Sequence, residues 1–218
     1  MNLQDKLNEL KANFEKQAPK EALETMHKAT DDLRKSGILE RALKVGDHMP
    51  EFELENAEGN LIRSKVILAK KQMVLSFYRG RWWPYCNLEL EALQNSLEKF
   101  NSAGAELIAI SPQLAKQSRA LVKAKKLTFE VLSDPGNSVA QKFGLAHVLP
   151  EDLRKIYLQF GIDVPKHNGD NSWKLPLASR FIIDQEGVIQ YTAVDADYTI
   201  RPDPEHTIEV LQSIKKQQ

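Results

Sequence analysis

The chain has 218 residues, of which 42% are hydrophobic and 28% charged, and its 30 basic and 30 acidic side chains cancel to a net charge of zero. This balance excludes an acidic disordered protein and gives no basic footprint for nucleic acid. No apolar run approaches the roughly 20 residues of a membrane span, and the polar first twenty residues lack the apolar core of a signal peptide. We therefore expect a cytoplasmic globular protein with no nucleic-acid or membrane partner.

Two amphipathic helices are predicted in the first 42 residues. Apolar side chains recur at helical spacing on both sides of Pro19, and the second stripe ends near Gly37. Each stripe must pack on another surface, either the rest of the chain or a second subunit. The predicted organisation is an N-terminal helical extension at 1–42 and a main domain at 43–218.

Strands and helices alternate along the main domain. The predicted strands lie at 51–54, 73–78, 106–111 and 129–132, with a hairpin at 181–193. The predicted helices lie at 88–100, 116–126, 138–143, 150–161 and 206–216. Such alternation, followed by a late hairpin, indicates an α/β fold whose sheet is partly parallel.

The single cysteine, Cys86, follows a buried strand and a glycine turn at the point where a helix begins. Unpaired N–H groups and a partial positive charge at a helix N-terminus stabilise a thiolate, which is the nucleophilic form of cysteine. Arg79 and Arg81 add positive charge nearby. This position favours a reactive cysteine, and the alternative is an inert, buried side chain. One cysteine excludes an internal disulfide, and the scattered histidines predict no metal site.

Residues 77–90 read FYRGRWWPYCNLEL and resemble the active-site segment of peroxiredoxin-like proteins of the AhpC/TSA family, which usually reads FYRGxWCPYCNLEL. Further similar stretches begin at Ala42, Leu132 and Trp173, so the resemblance covers about residues 42–212. It implies a thioredoxin-like fold, with a mixed central sheet flanked by helices, after the N-terminal helical extension.

The resemblance also implies an antioxidant oxidoreductase, a thiol peroxidase that reduces hydrogen peroxide or alkyl hydroperoxides without a cofactor or metal. Cys86 falls on the position of the peroxidatic cysteine and would pass through sulfenic acid, with backbone N–H groups of the helix start facing the reacting oxygens. Because there is no second cysteine, an external thiol such as thioredoxin or glutathione would reduce it. Another subunit's cysteine is a further candidate, and a homodimer is therefore possible.

Two arginines are candidate catalytic residues beside Cys86. Arg79 lies in the segment itself, and Arg180 lies one position before Phe181 in a predicted strand. Alternate strand residues share a face, so Arg180 could approach the sulfur and polarise the peroxide. The alternative for Arg180 is a surface arginine at a strand end.

The candidate substrate-binding residues surround the cysteine and are Tyr78, Trp83, Pro84 and Tyr85. Trp83 stands where the family segment has its first cysteine, and where typical peroxiredoxins have threonine. Disulfide exchange within a C-x-x-C motif is therefore excluded. This departure leaves open a second hypothesis, a redox-impaired thioredoxin-fold protein that serves as a binding or regulatory module.

Overall fold

The computed structural model describes residues 2–215, with side chains through Ile214. The predicted end of the last helix at Lys216 and the last residues of the predicted main domain lie outside this range. The helices are α1 (Leu3–Gln17), α2 (Lys20–Lys35), α3 (Ile38–Arg41), α4 (Ser64–Leu68), α5 (Pro84–Asn95), α6 (Leu97–Ser102), α7 (Ala115–Lys125), α8 (Ser138–Lys142), α9 (Glu151–Gln159), α10 (Val164–Asn168) and α11 (Pro204–Lys215). The strands are β1 (Glu53–Asn56), β2 (Leu61–Arg63), β3 (Gln72–Phe77), β4 (Ala105–Ser111), β5 (Glu130–Ser133), β6 (Ala146–Val148), β7 (Lys174–Pro176), β8 (Ser179–Ile183) and β9 (Ile189–Val194).

The main sheet of the described residues has seven strands in the order β2-β1-β5-β4-β3-β8-β9. Strands β3, β4 and β5 run parallel to their neighbours within this group, and the remaining pairs are antiparallel. A separate antiparallel pair, β6 and β7, lies outside this sheet. The predicted mixed sheet flanked by helices, preceded by N-terminal helices, is confirmed.

Strand β3 shows how the sheet separates two layers of core. Met73, Leu75 and Phe77 pack into one buried cluster, whereas Val74 packs into the other, because successive side chains of a strand point to opposite faces. The second cluster is the larger one and also contains Cys86. The cysteine therefore lies on one defined face of the sheet, beneath the helices that cover it.

The N-terminal helices α1 and α2 pack on the main domain. Leu3 and Leu7 of α1 and Ala22 and Met26 of α2 are buried in the cluster that contains Cys86. Helix α1 contacts α5, and α2 contacts α9. Of the two surfaces considered for these stripes, the rest of the chain thus covers them, while the domain boundary at residue 42 stays a prediction.

Several short elements lie where no element was predicted: β2, α4, β6, β7 and α10. Each has five or fewer residues, which is too short for a hydrophobic period to show. The long predicted helix at 88–100 is divided at Ser96 into α5 and α6. Within residues 2–215, every helix is too short or too polar to cross a lipid bilayer.

Candidate active site around Cys86

Cys86 is the third residue of α5, directly after the turn that leaves β3. Gly80 makes this turn possible, because its φ is +149° and a side-chain carbon there would lie 2.4 Å from the Trp82 indole nitrogen. We expected backbone N–H groups of the helix start to face the reacting oxygens, and among them the Cys86 N–H donates to the carbonyl oxygen of Trp83 at 3.0 Å. Cys86 has no exposed surface. The structure thus confirms the helix start and places the sulfur inside the protein.

A buried guanidinium contacts the sulfur, and it belongs to Arg201. Its Nη2 donates to Cys86 Sγ at 3.7 Å, and its Nη1 donates to Glu89 Oε2 at 2.5 Å. The other oxygen of Glu89 accepts from Arg180 Nη2 at 2.7 Å. Two arginines and one glutamate leave a buried net charge of +1, which an ionised Cys86 would cancel. Buried charges of this kind require compensation.

The negative groups around Arg201 stabilise its positive charge. Burial acts to lower the pKa of Arg201, but the negative charges of Glu89 and Cys86 more than offset it and raise that pKa above its usual value. Arg201 is therefore a permanent cation against the sulfur.

Arg180, a predicted catalytic residue, reaches the same cluster without touching the sulfur. It lies on β8, its side chain is fully buried, and it donates to Glu89, the Pro202 carbonyl oxygen and Thr207 Oγ1. Burial lowers the pKa of Arg180 despite the attraction of Glu89. The strand-face argument correctly directed Arg180 towards α5, but its hydrogen bonds hold Glu89 rather than the sulfur.

Arg79, the other predicted catalytic residue, turns towards aromatic rings. Its Nη1 donates to the Tyr157 hydroxyl at 3.1 Å, and its guanidinium lies 4.7 Å from the centre of the Tyr198 ring. The Trp83 ring lies 5.7 Å from the same guanidinium. Such stacking suits a buried arginine. In this structure Arg79 is part of the wall beside the cysteine turn.

Two predicted substrate-binding residues, Trp83 and Tyr85, belong to the aromatic cluster that covers the cysteine turn. The Trp83 ring is stacked on Tyr157 with centroids 5.4 Å apart, and it meets Tyr198 edge-on at 5.1 Å. Tyr85 also contacts Tyr198, at 5.5 Å. Both residues are buried, whereas Pro84, the first residue of α5, is exposed. Trp83 and Tyr85 thus help to close the site in this conformation.

Tyr78, the remaining predicted substrate-binding residue, lies in a buried polar network. Its hydroxyl accepts from Gln113 Nε2 at 3.0 Å, and Gln113 also donates to Ser118. Burial first, and the negative charge of Cys86 second, raise the pKa of Tyr78 above its usual range. The phenol is therefore neutral, and it fixes the end of β3 beside the cysteine turn.

Four residues of the site were not predicted: Glu89, Arg201, Tyr157 and Tyr198. Glu89 follows Cys86 by three positions on one helix, which places both on the same face, so helical spacing alone could have identified it. Arg201 lies 115 residues after Cys86 in a segment without regular structure, and only the family resemblance includes it. Tyr157 lies on α9, where an apolar stripe indicates packing and nothing more. Across residues 2–215, no group of three or more His, Cys, Asp or Glu side chains could hold a metal ion.

The comparison with known proteins points to one family. The AhpC/TSA family profile matches residues 45–192. The chloroplastic peroxiredoxin Q of Sedum lineare is 33% identical over 190 residues, which are 84% of this chain and 85% of that protein.

Solved structures with the same fold include peroxidoxin BcpB from Mycobacterium tuberculosis and a yeast mitochondrial 1-Cys peroxiredoxin. The first has a TM-score of 0.62 at 20% identity and covers 79% of this chain and 98% of its own. The second has a TM-score of 0.62 at 15% identity and covers 80% of this chain and 77% of its own. At these identities the likeness shows the fold alone, and it confirms the predicted thioredoxin-like fold.

The relatives also confirm the predicted class of enzyme, an oxidoreductase with peroxidase activity. They do not favour the alternative hypothesis of a redox-impaired binding or regulatory module. The predicted cytoplasmic location stays a prediction. With its profile match over residues 45–192 and its similarity to peroxiredoxin Q, the chain belongs to the AhpC/TSA family.

Proposed function

We propose that the protein is a thiol-dependent peroxidase that uses Cys86 alone and depends on an external thiol. The observation that carries this proposal is the contact between Arg201 and Cys86 Sγ, 3.7 Å long, in a buried cluster with one uncompensated positive charge. The chain has one cysteine, so no intrachain disulfide can follow the oxidation of Cys86.

The first step is the attack of the Cys86 thiolate on the terminal oxygen of a hydroperoxide. The S–O bond forms as the O–O bond breaks, and the leaving oxygen takes a proton and departs as water or an alcohol. The sulfur is oxidised by two electrons to sulfenic acid, and the peroxide is reduced by the same two. Arg201 stabilises the thiolate and then the negative charge on the departing oxygen.

The second stage is reduction by two external thiol groups, supplied by two molecules of glutathione or by the two cysteines of one thioredoxin. The first thiol condenses with the sulfenic acid, which releases water and forms a mixed disulfide. The second thiol attacks that disulfide, frees Cys86 and leaves as the oxidised disulfide. The yeast 1-Cys peroxiredoxin of similar fold is described with glutathione and thioredoxin systems, which supports testing both reductants here. The same proposal includes a homodimer, in which the cysteine of one subunit serves as the reducing thiol for the other.

Access of peroxide requires a local opening, because Cys86 has no exposed surface and Trp83 is 5% exposed. The buried cluster that contains Cys86 also contains Trp83 and Tyr85 at the start of α5 and residues of helices α1 and α2. Opening at a helix terminus costs less than global unfolding. The proposal therefore predicts a reaction gated by movement of this covering.

Turnover with defined reductants tests the proposal. Reduced protein is mixed with hydrogen peroxide, and peroxide loss is followed with glutathione or with a thioredoxin system. We expect turnover with at least one of these reductants, and a mixed disulfide at Cys86 with glutathione by intact-protein mass. The Cys86→Ser variant is the control and should be inactive. Equal peroxide loss by wild type and Cys86→Ser would rule out this function.

A further inference from the structure

A cavity of about 220 Å³ lies between α2 and the wall beside the cysteine turn. Its rim is exposed and includes Ser36 and Val148, and its inner end reaches the buried Arg79 and Tyr157. The cysteine is not among its lining residues. This cavity is separate from the contact between Arg201 and the sulfur, and the peroxidase mechanism leaves it without a role.

Most of the wall is apolar. Met26, Ala29 and Leu33 of α2 face Leu149 and Leu153 across it. An apolar cavity of about 150 Å³ accommodates benzene, so by proportion this one has room for roughly nine non-hydrogen atoms, and its open rim leaves space beyond them. The walls therefore suit a short alkyl chain or a single ring.

The inner end is charged, and its charge is unpaired. Arg79 is 3% exposed, its Nε has no hydrogen-bond partner, and within residues 2–215 no carboxylate lies within 4.0 Å of its guanidinium. An unpaired buried cation is costly, since burial removes its hydration without a compensating anion. The nearest compensation is the Tyr157 hydroxyl and the face of Tyr198. An anion that enters the cavity would complete this arrangement.

A second polar group faces the same space. The Nδ1 of His147 has no partner, and burial together with the charge of Arg79 lowers the pKa of His147 to about 3. The ring is thus neutral and offers a hydrogen bond but no charge. The acidic group at the rim, Asp32, is exposed and paired with Lys28 at 2.6 Å, so little of its repulsion acts on an incoming anion.

We propose that this cavity binds a small monocarboxylate with an apolar tail, with the carboxylate on Arg79 and the tail against α2. One negative charge matches the one unpaired guanidinium, and planar carboxylates fit the fork of an arginine. The N-terminal extension thereby supplies one wall of a ligand site, since α2 contributes the apolar residues. The cavity shares its inner wall with the cysteine turn, but the proposed binding does not rest on the peroxidase reaction.

Calorimetric titration of the reduced full-length protein with octanoate, which has ten non-hydrogen atoms, tests the proposal. We expect a dissociation constant below about 1 mM. Octanamide keeps the shape and removes the charge, so it should bind about 10- to 100-fold more weakly. Arg79→Gln should abolish this preference. Absence of octanoate binding, or equal affinity for octanamide, would overturn the proposal.

Two alanine-to-phenylalanine substitutions test the location of the site without altering Arg79. Ala29→Phe fills the cavity from α2 and should weaken octanoate at least tenfold, whereas Ala12→Phe lies on the exposed face of α1 and should leave the affinity unchanged. If both variants bind octanoate like wild type, the ligand does not occupy this cavity. Reaction with hydrogen peroxide is measured in parallel, so that loss of the binding site and loss of the proposed peroxidase are told apart.

Discussion

Glu89 is shared by two buried arginines, and only Arg201 touches the sulfur. Removing a buried carboxylate from between two cations would leave both uncompensated, at a cost of about 3–5 kcal/mol. Glu89 is therefore a positioning residue: it holds Arg201 against Cys86 while Arg180 holds Glu89. Each arginine donates to Glu89 and to one backbone carbonyl oxygen, and the third partner is Thr207 Oγ1 for Arg180 but Cys86 Sγ for Arg201. This makes the two arginines a matched pair for substitution.

Replacing Arg201 by lysine should slow the oxidation of Cys86 by hydrogen peroxide about 10- to 100-fold. The change keeps the charge but loses the fork that binds Glu89 and Sγ together, and charge-assisted hydrogen bonds contribute about 1.5–3 kcal/mol. The measurement is the second-order rate of sulfenic acid formation. Arg180→Lys is the control and should be slowed much less. Equal slowing in both variants would mean that the sulfur contact is not what matters.

Trp83 closes the site, so its replacement should have two opposite effects. Trp83→Thr removes a buried ring and should lower the free energy of unfolding by about 3–5 kcal/mol. It should also open a path to the sulfur and quicken its oxidation. The control is Trp82→Thr, because Trp82 directly precedes Trp83 and is half-buried. This replacement should not speed the oxidation of Cys86. Slower oxidation in Trp83→Thr than in wild type would contradict a closing role and indicate that the indole assists the reaction.

His147 should make the protein less stable in mild acid. In the unfolded chain its pKa is about 6.5, whereas in the fold burial lowers the pKa of His147 to about 3. Between these values the unfolded state binds the extra proton, so the contribution of His147 to stability is lost as the pH falls from about 6.5 towards 3. The limit is about 1.4 kcal/mol per pH unit for one proton, and the half-buried ring should show less.

Urea unfolding at pH 7 and pH 5 checks this prediction. His147→Gln should lose less stability between these pH values than wild type does. The control is His48→Gln, since His48 is exposed, and it should behave like wild type. A His147→Gln variant with the wild-type pH dependence would show that this ring accepts a proton in the fold.

At the level of elements, helix α1 is part of the core. Leu7 has no exposed surface and packs in the same cluster as Cys86. The stripes of α1 and α2 were visible in the sequence because both helices are long and half-buried, which gives them a clear period. The sequence did not decide whether the main domain or a second subunit covers them, since a hydrophobic stripe does not identify its partner.

Leu7→Ala should lower the free energy of unfolding of the whole protein by about 2–5 kcal/mol. The reason is that truncating the Leu7 side chain leaves a cavity in the core that α1 shares with the main domain. Leu158→Ala on α9 is the control, because Leu158 is 51% exposed, and its effect should stay within about 0.5 kcal/mol. Denaturant unfolding followed by circular dichroism measures both. A separate early transition in Leu7→Ala, with the main transition unmoved, would show that the extension unfolds by itself.

For the whole molecule, the alternation of strands and helices was enough to predict a partly parallel sheet, since strands such as β3 and β4 are mostly apolar and almost wholly buried. The position of Cys86 at the start of a helix was also predictable, because its place between strand and helix is a local property. Its arginine was not, because Arg201 reaches Sγ across 115 residues of sequence through a segment without periodicity. Both predicted arginines are buried nearby, but only the tertiary fold determines which guanidinium meets the sulfur.

The most direct test of the central claim, that the buried cluster makes Cys86 a peroxide-reactive thiolate, is trapping of its sulfenic acid. Reduced protein is treated with hydrogen peroxide and dimedone, and the adduct is located by peptide mass spectrometry. The account predicts a peroxide-dependent adduct on Cys86 that forms faster than that of a free cysteine peptide under the same conditions. An adduct on Cys86 that forms no faster than on the free peptide, in protein shown to be folded, would contradict it.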